Sequence, residues 1–176
     1  MAKQQVILRT LQNRWYKRIL VISAKQDSYF DKLKALNKAF VSGFITEEPI
    51  RGCVFDIDAW PFSLKYFDLI ILDDIIFTYK KRFKEILEQV HFCLADDGDL
   101  VIVSTKGCFA AELLPKAISN GFINDKLIPI SCSDNIILNN IKKLTTREFV
   151  AFFKKSKHFD LDSTIVSSEV TEAVKI

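Results

Sequence analysis

The side chains that could ligate or titrate are few enough to sort by spacing. Cys53, Cys93, Cys108 and Cys132 stand 40, 15 and 24 residues apart, and His91 and His158 are separated by 67. No C-x-x-C pair exists, so neither a zinc site nor any other metal is expected. Cys53 and Cys93 lie in apolar surroundings and read as buried thiols of a reducing cytoplasm. The carboxylates carry more. Asp56 stands five residues ahead of Pro61-Phe62, and Asp73-Asp74 closes a run of Leu and Ile. An acid in that second place can face a ligand, or it can enter a helix and be stabilised by the dipole there.

The elements that must position these groups alternate. Arg18–Ser23, Ala39–Ile45, Cys53–Ile57, Asp68–Leu72 and Leu100–Ser104 are short apolar runs, suited to strands buried on both faces. Asp27–Lys38, with Phe30, Leu33 and Leu36, reads as a helix, while 46–52 is too short for one. In Lys80–Phe92, Phe83, Ile86, Leu87 and Val90 recur at i, i+3, i+4 and i+7, which makes a one-faced helix. Strands alternating with helices imply a parallel sheet covered on both sides, with ligands outside the carboxyl ends of its strands. The candidate surface is therefore formed by the turns after Ser23, Ile45, Ile57, Leu72 and Ser104.

Beyond Thr105 the pattern loosens. Residues 106–144 read as an irregular insert or lid, with a helix over Phe109–Ser119 interrupted at Pro115. Thr145 or Thr146 can cap a further helix over Arg147–Lys155, with Phe149, Phe152 and Phe153 as its buried stripe. Asp162–Ser168 and Glu172–Ile176 then form an antiparallel terminal pair.

At 176 residues the chain is expected to be one domain, 1–176, and 49% hydrophobic residues with 15 Phe support a packed core. No apolar run approaches the ~20 residues of a membrane helix, and no apolar region follows the basic segment 1–17, so neither a membrane span nor a secretory leader is expected. The net charge is +3. It is concentrated in residues 1–18, which hold Lys3, Arg9, Arg14, Lys17 and Arg18 without an acid, and in 142–157. Such ends can touch nucleic acid, but without interleaved stacking aromatics they read better as solvated helix faces.

The order of elements resembles the class I S-adenosylmethionine (SAM)-dependent methyltransferases, in particular a small bacterial type. The resemblance is carried by Asp56–Thr105, with its Pro61-Phe62 and the acidic Asp96-Asp97-Gly98 in the slot of a Pro-Gly-Gly turn, and by Leu144–Ser168, matched to the last helix and sixth strand. It implies a three-layer, Rossmann-like α/β fold with a mostly parallel seven-stranded sheet and an antiparallel last strand. It also implies that Asp56 accepts a hydrogen bond from an adenine amino group, as suits an acceptor-only carboxylate, with Ile57 beside the ring. Trp60 and Phe62 either line that pocket or belong to the core. The implied cofactor site is Ser23, Lys25, Asp56, Ile57 and Asp73.

The glycine-rich first turn of that family is absent. Ser23, Lys25 and Asp27 occupy its three glycine slots, Val21 replaces its acid, and Ile45 replaces the acid that grips the ribose. Glycine serves there because the turn needs positive φ and close approach to the ligand. Weak or absent SAM binding is therefore expected, from a non-catalytic protein that binds an unspecified small molecule or protein. The alternative is an active methyltransferase with an atypical cofactor loop. A response-regulator receiver was weighed on Asp73, Ser104 and Lys126, but it lacks the acid pair after the first strand.

Overall fold

The computed structural model describes residues 3–23, 33, 40–45, 60–105, 110–130 and 148–157. The described elements run α1 (Lys3–Leu11), β1 (Arg18–Ser23), β2 (Phe40–Ile45), β3 (Phe67–Asp73), a short α2 (Ile75–Thr78), and a 3-10 turn at Lys80–Arg82. They continue with α3 (Phe83–Cys93), β4 (Leu94–Ser104), α4 (Ala110–Ser119), β5 (Phe122–Pro129) and β6 (Phe149–Lys155). The expected helix Asp27–Lys38 (Leu33 apart), the strand Cys53–Ile57 and the pair Asp162–Ser168 with Glu172–Ile176 lie outside the described residues.

The described strands form one six-stranded sheet in the order β2-β1-β3-β4-β6-β5. β2, β1, β3 and β4 are parallel, whereas β6 runs antiparallel to both β4 and β5. Strand periodicity of two divides the apolar runs between two cores. Leu20, Ile22, Ile70, Leu72, Leu100 and Ile102 meet α3 and α4 through Ile86, Leu87, Val90, Leu113 and Ala117. Ile19, Val21, Leu69, Ile71, Val101 and Val103 meet α1 through Val6, Ile7 and Leu11. The result is three layers, an α/β fold with a mostly parallel sheet. The antiparallel strands are incompatible with the wholly parallel sheet of a receiver.

α3 buries Phe83, Ile86, Leu87 and Val90, as its periodicity predicts. β1 has the expected bounds. β4 starts six residues earlier than expected, because Leu94 already pairs with Phe67. The register then slips between Phe67↔Leu94 and Leu69↔Asp99, so Ala95–Gly98 bulges out of the ladder. Gly98 is required by packing there: a Cβ would meet Leu94 Cγ and Cδ1 at 2.7 Å and the Ala95 carbonyl oxygen at 2.9 Å.

Two expectations in the carboxyl-terminal half are corrected. Arg147–Lys155 is not a helix, since Phe149–Lys155 is the antiparallel strand β6, buried on both faces except at Lys154. A Phe149/Phe152/Phe153 stripe fits a helix, but Val150 and Ala151 are buried as well, and only a strand between two others uses all five. The segment 106–144, expected to be irregular, supplies α4 and the edge strand β5. α4 also runs through Pro115 without interruption, because loss of one donor does not outweigh burial of Ala110, Leu113 and Ala117. It stops at Gly121, whose φ of 82° lets its N–H bond the Ile118 carbonyl.

Candidate functional site

The carboxyl ends of β1, β3 and β4 come into register at Ser23↔Asp73 and Asp73↔Val103. Ser23 is buried, and Asp73 is 1% exposed. Both continue the parity of Val21 and Ile71, so they lie on the face covered by α1. The structure thus brings together two of the five predicted site residues, Ser23 and Asp73. Lys25, Asp56 and Ile57 lie outside the described residues.

Two contacts here were not anticipated. Lys3, the first residue of α1, places its Nζ 3.1 Å from both Asp73 Oδ1 and Oδ2. The partners are 70 residues apart, and the only hint in the sequence is a basic amino-terminal segment. Asp74 takes a left-handed conformation at φ 58°, unusual without glycine but tolerated by Asp. It stands at the amino terminus of α2 yet makes no side-chain cap there. Instead its carboxylate accepts hydrogen bonds from the Thr105 N–H and Thr105 Oγ1, both at 2.6 Å. Its own N–H donates to the Val103 carbonyl at 3.0 Å, so the ends of β3 and β4 are clamped together. Asp73 therefore faces the candidate site while Asp74 holds the backbone that presents it.

Trp60 and Phe62 belong to the core and not to this site. Trp60 is buried, and Phe62 packs edge-on against Phe67, the first residue of β3, with ring centroids 4.9 Å apart. That places Phe62 beside the amino end of the strand. The same end carries a separate polar cluster. Lys155 Nζ donates to the Leu94 carbonyl at 2.9 Å, and Asp96 accepts from Lys65 Nζ at 2.7 Å. The Lys65 hydrogen bond holds the Asp96 carboxyl below the usual carboxylate range. Burial lowers the Lys155 ammonium. Burial, then the charge of Lys155, pushes His91 down to about 4, and burial pushes Cys93 up to about 11. Cys93 is a buried free thiol, whereas Cys53, Cys108 and Cys132 lie outside the described residues. Nearby, Arg14 Nη1 and Tyr16 OH both donate to Asp99 Oδ2, at 2.8 Å and 2.7 Å. These groups close off bulged backbone and anchor the end of α1. They are structural.

No family model matches the sequence, nor does any curated protein. Solved structures do. A SAM-dependent methyltransferase from Archaeoglobus fulgidus superposes with a TM-score of 0.63 at 16% identity, over 88% of this chain and 95% of that one. The Burkholderia thailandensis 1,6-didemethyltoxoflavin-N1-methyltransferase, solved with S-adenosylhomocysteine bound, gives 0.62 at 12% identity, over 88% and 77%. The [4+2]-cyclase SpnF gives 0.65 at 11% identity, over 87% and 79%. With β6 set antiparallel between β4 and β5, and helices on both faces, the chain has the fold of class I SAM-dependent methyltransferases. That fold is shared by a cyclase and by methyltransferases, so it does not by itself define a reaction.

Proposed function

We propose that this chain is a methyltransferase-fold protein whose SAM site has degenerated, and that it acts chiefly by binding another small molecule or a protein. The observation that carries this reading is the turn after β1. It follows a strand in which Val21 is wholly buried, where an acid would be needed, and it reads Ser23-Ala24-Lys25-Gln26-Asp27 without a glycine. β2 likewise ends on Ile45 where a ribose acid would stand. Each charged hydrogen bond lost is worth ~1.5–3 kcal/mol, so three losses weaken binding by several orders of magnitude.

The site is taken to be Ser23, Lys25, Asp56, Ile57 and Asp73, at the carboxyl ends of one domain in the cytoplasm. Cys53–Ile57, placed outside β2, would bring the sheet to seven strands. Calorimetric titration with SAM and with S-adenosylhomocysteine tests the reading. The expected dissociation constant is above ~100 μM, and ~10 μM or tighter would overturn it. Any residual binding should fall about tenfold in Asp56→Ala and rise in Lys25→Gly.

A second reading, an active methyltransferase with an atypical cofactor loop, is favoured by Asp73. A buried carboxylate among the carboxyl ends of three strands is suited to a ligand's ammonium group.

A further inference from the structure

We propose that α1 is a built-in plug, in which the Lys3 ammonium holds the place of a ligand ammonium against Asp73. This rests on the reading that the carboxyl ends of the strands form the ligand site. A carboxylate that is 1% exposed requires a compensating cation, and Lys3 supplies one with Nζ 3.1 Å from each oxygen. The two ends of α1 are held differently. Its carboxyl end buries Leu11 and leads into Arg14 and Tyr16, which both bond Asp99. Its amino end reaches the site through Lys3, whose side chain is 24% exposed, one turn before the buried Val6 and Ile7. Unwinding that first turn frees Asp73 while the apolar stripe of α1 stays on the sheet. The ligand class follows from charge. A small molecule bearing an ammonium can take the place of Lys3, whereas a neutral or anionic one would leave Asp73 uncompensated. Docking of the first turn and binding of such a ligand exclude one another.

The test compares the full chain with Lys3→Gln and Lys3→Arg, titrating each with SAM by calorimetry after thermal melting has established that it folds. Glutamine keeps a donor for Asp73 and removes the charge, so Lys3→Gln should bind at least about tenfold tighter than the parent. Lys3→Arg should match the parent. Equal affinities for Lys3→Gln and the parent, or no binding by Lys3→Gln, would overturn the proposal. Residue-resolved hydrogen exchange on the unmodified chain decides the matter if Lys3→Gln does not fold. Helical geometry bonds the amides of Ile7 and Leu8 to the carbonyls of Lys3 and Gln4, and about 5 mM SAM should speed their exchange. Unchanged protection would overturn the plug. Tight binding by the parent with faster exchange at Ile7 and Leu8 would support it and defeat only the weak-binding reading. Tight binding with unchanged exchange would defeat both.

Discussion

His91 ends the buried stripe of α3 against Phe122, with ring centroids 5.7 Å apart, and burial together with Lys155 keeps it neutral. Its affinity for a proton is about 4 in the fold against 6.5 in the open chain. Between those values the unfolded chain holds more protons, so stability rises with pH. The contribution is complete above pH 6.5 and is lost as the pH falls towards 4. It amounts to about 3 kcal/mol at most. Urea unfolding across that range should show a loss on acidification that is smaller in His91→Gln. An acid-insensitive parent would show that the ring is not held neutral. At the same scale, the division of labour between Asp73 and Asp74 was only half legible. Two acids after an apolar run mark a strand end, but nothing local tells that one turns to Thr105 and the other meets Lys3. Those partners are supplied by the register of β3 with β4 and by the lie of α1.

The elements differ in how plainly they were written. α3 and β1 announce themselves because periodicity and burial agree at every position, from Phe83 to Val90 and from Ile19 to Ser23. β6 does not, since Phe-Val-Ala-Phe-Phe satisfies a helical stripe and a doubly buried strand alike, and only the vacancy between β4 and β5 decides. β5 carries Asn124, Asp125, Lys126 and a Pro129, so its polarity as an edge strand concealed it. Two substitutions test these elements. Gly98→Ala pushes a methyl into Leu94 and the Ala95 carbonyl and should cost about 1–3 kcal/mol in thermal unfolding, because neither neighbour can retreat easily. Phe153→Ala empties a fully buried position at the centre of β6 and should cost about 3–5 kcal/mol. A cost under about 1 kcal/mol for Phe153→Ala would contradict the placement of β6 inside the sheet.

For the molecule as a whole, the two ends of the sheet have divided tasks. The amino end is tied down by Lys65, Asp96, Lys155, Arg14 and Asp99, while the carboxyl end holds the buried pair Ser23 and Asp73 under the start of α1. Among the described residues, no helix is long and apolar enough to cross a membrane. The sheet order also sets a timetable for synthesis. β5 leaves the ribosome before β6, yet β5 touches the rest of the sheet only through β6. Until Phe149–Lys155 arrives, β4 presents an unpaired apolar rim, Leu100 to Val103, and β5 has no neighbour to join. A chain stopped at residue 130 should therefore lose hydrogen-exchange protection along Phe122–Pro129 and along the outer side of β4, and should aggregate where the full chain does not. For most of its birth this protein is a half-sheet with an open seam, and the last strand to be made is the one that closes it.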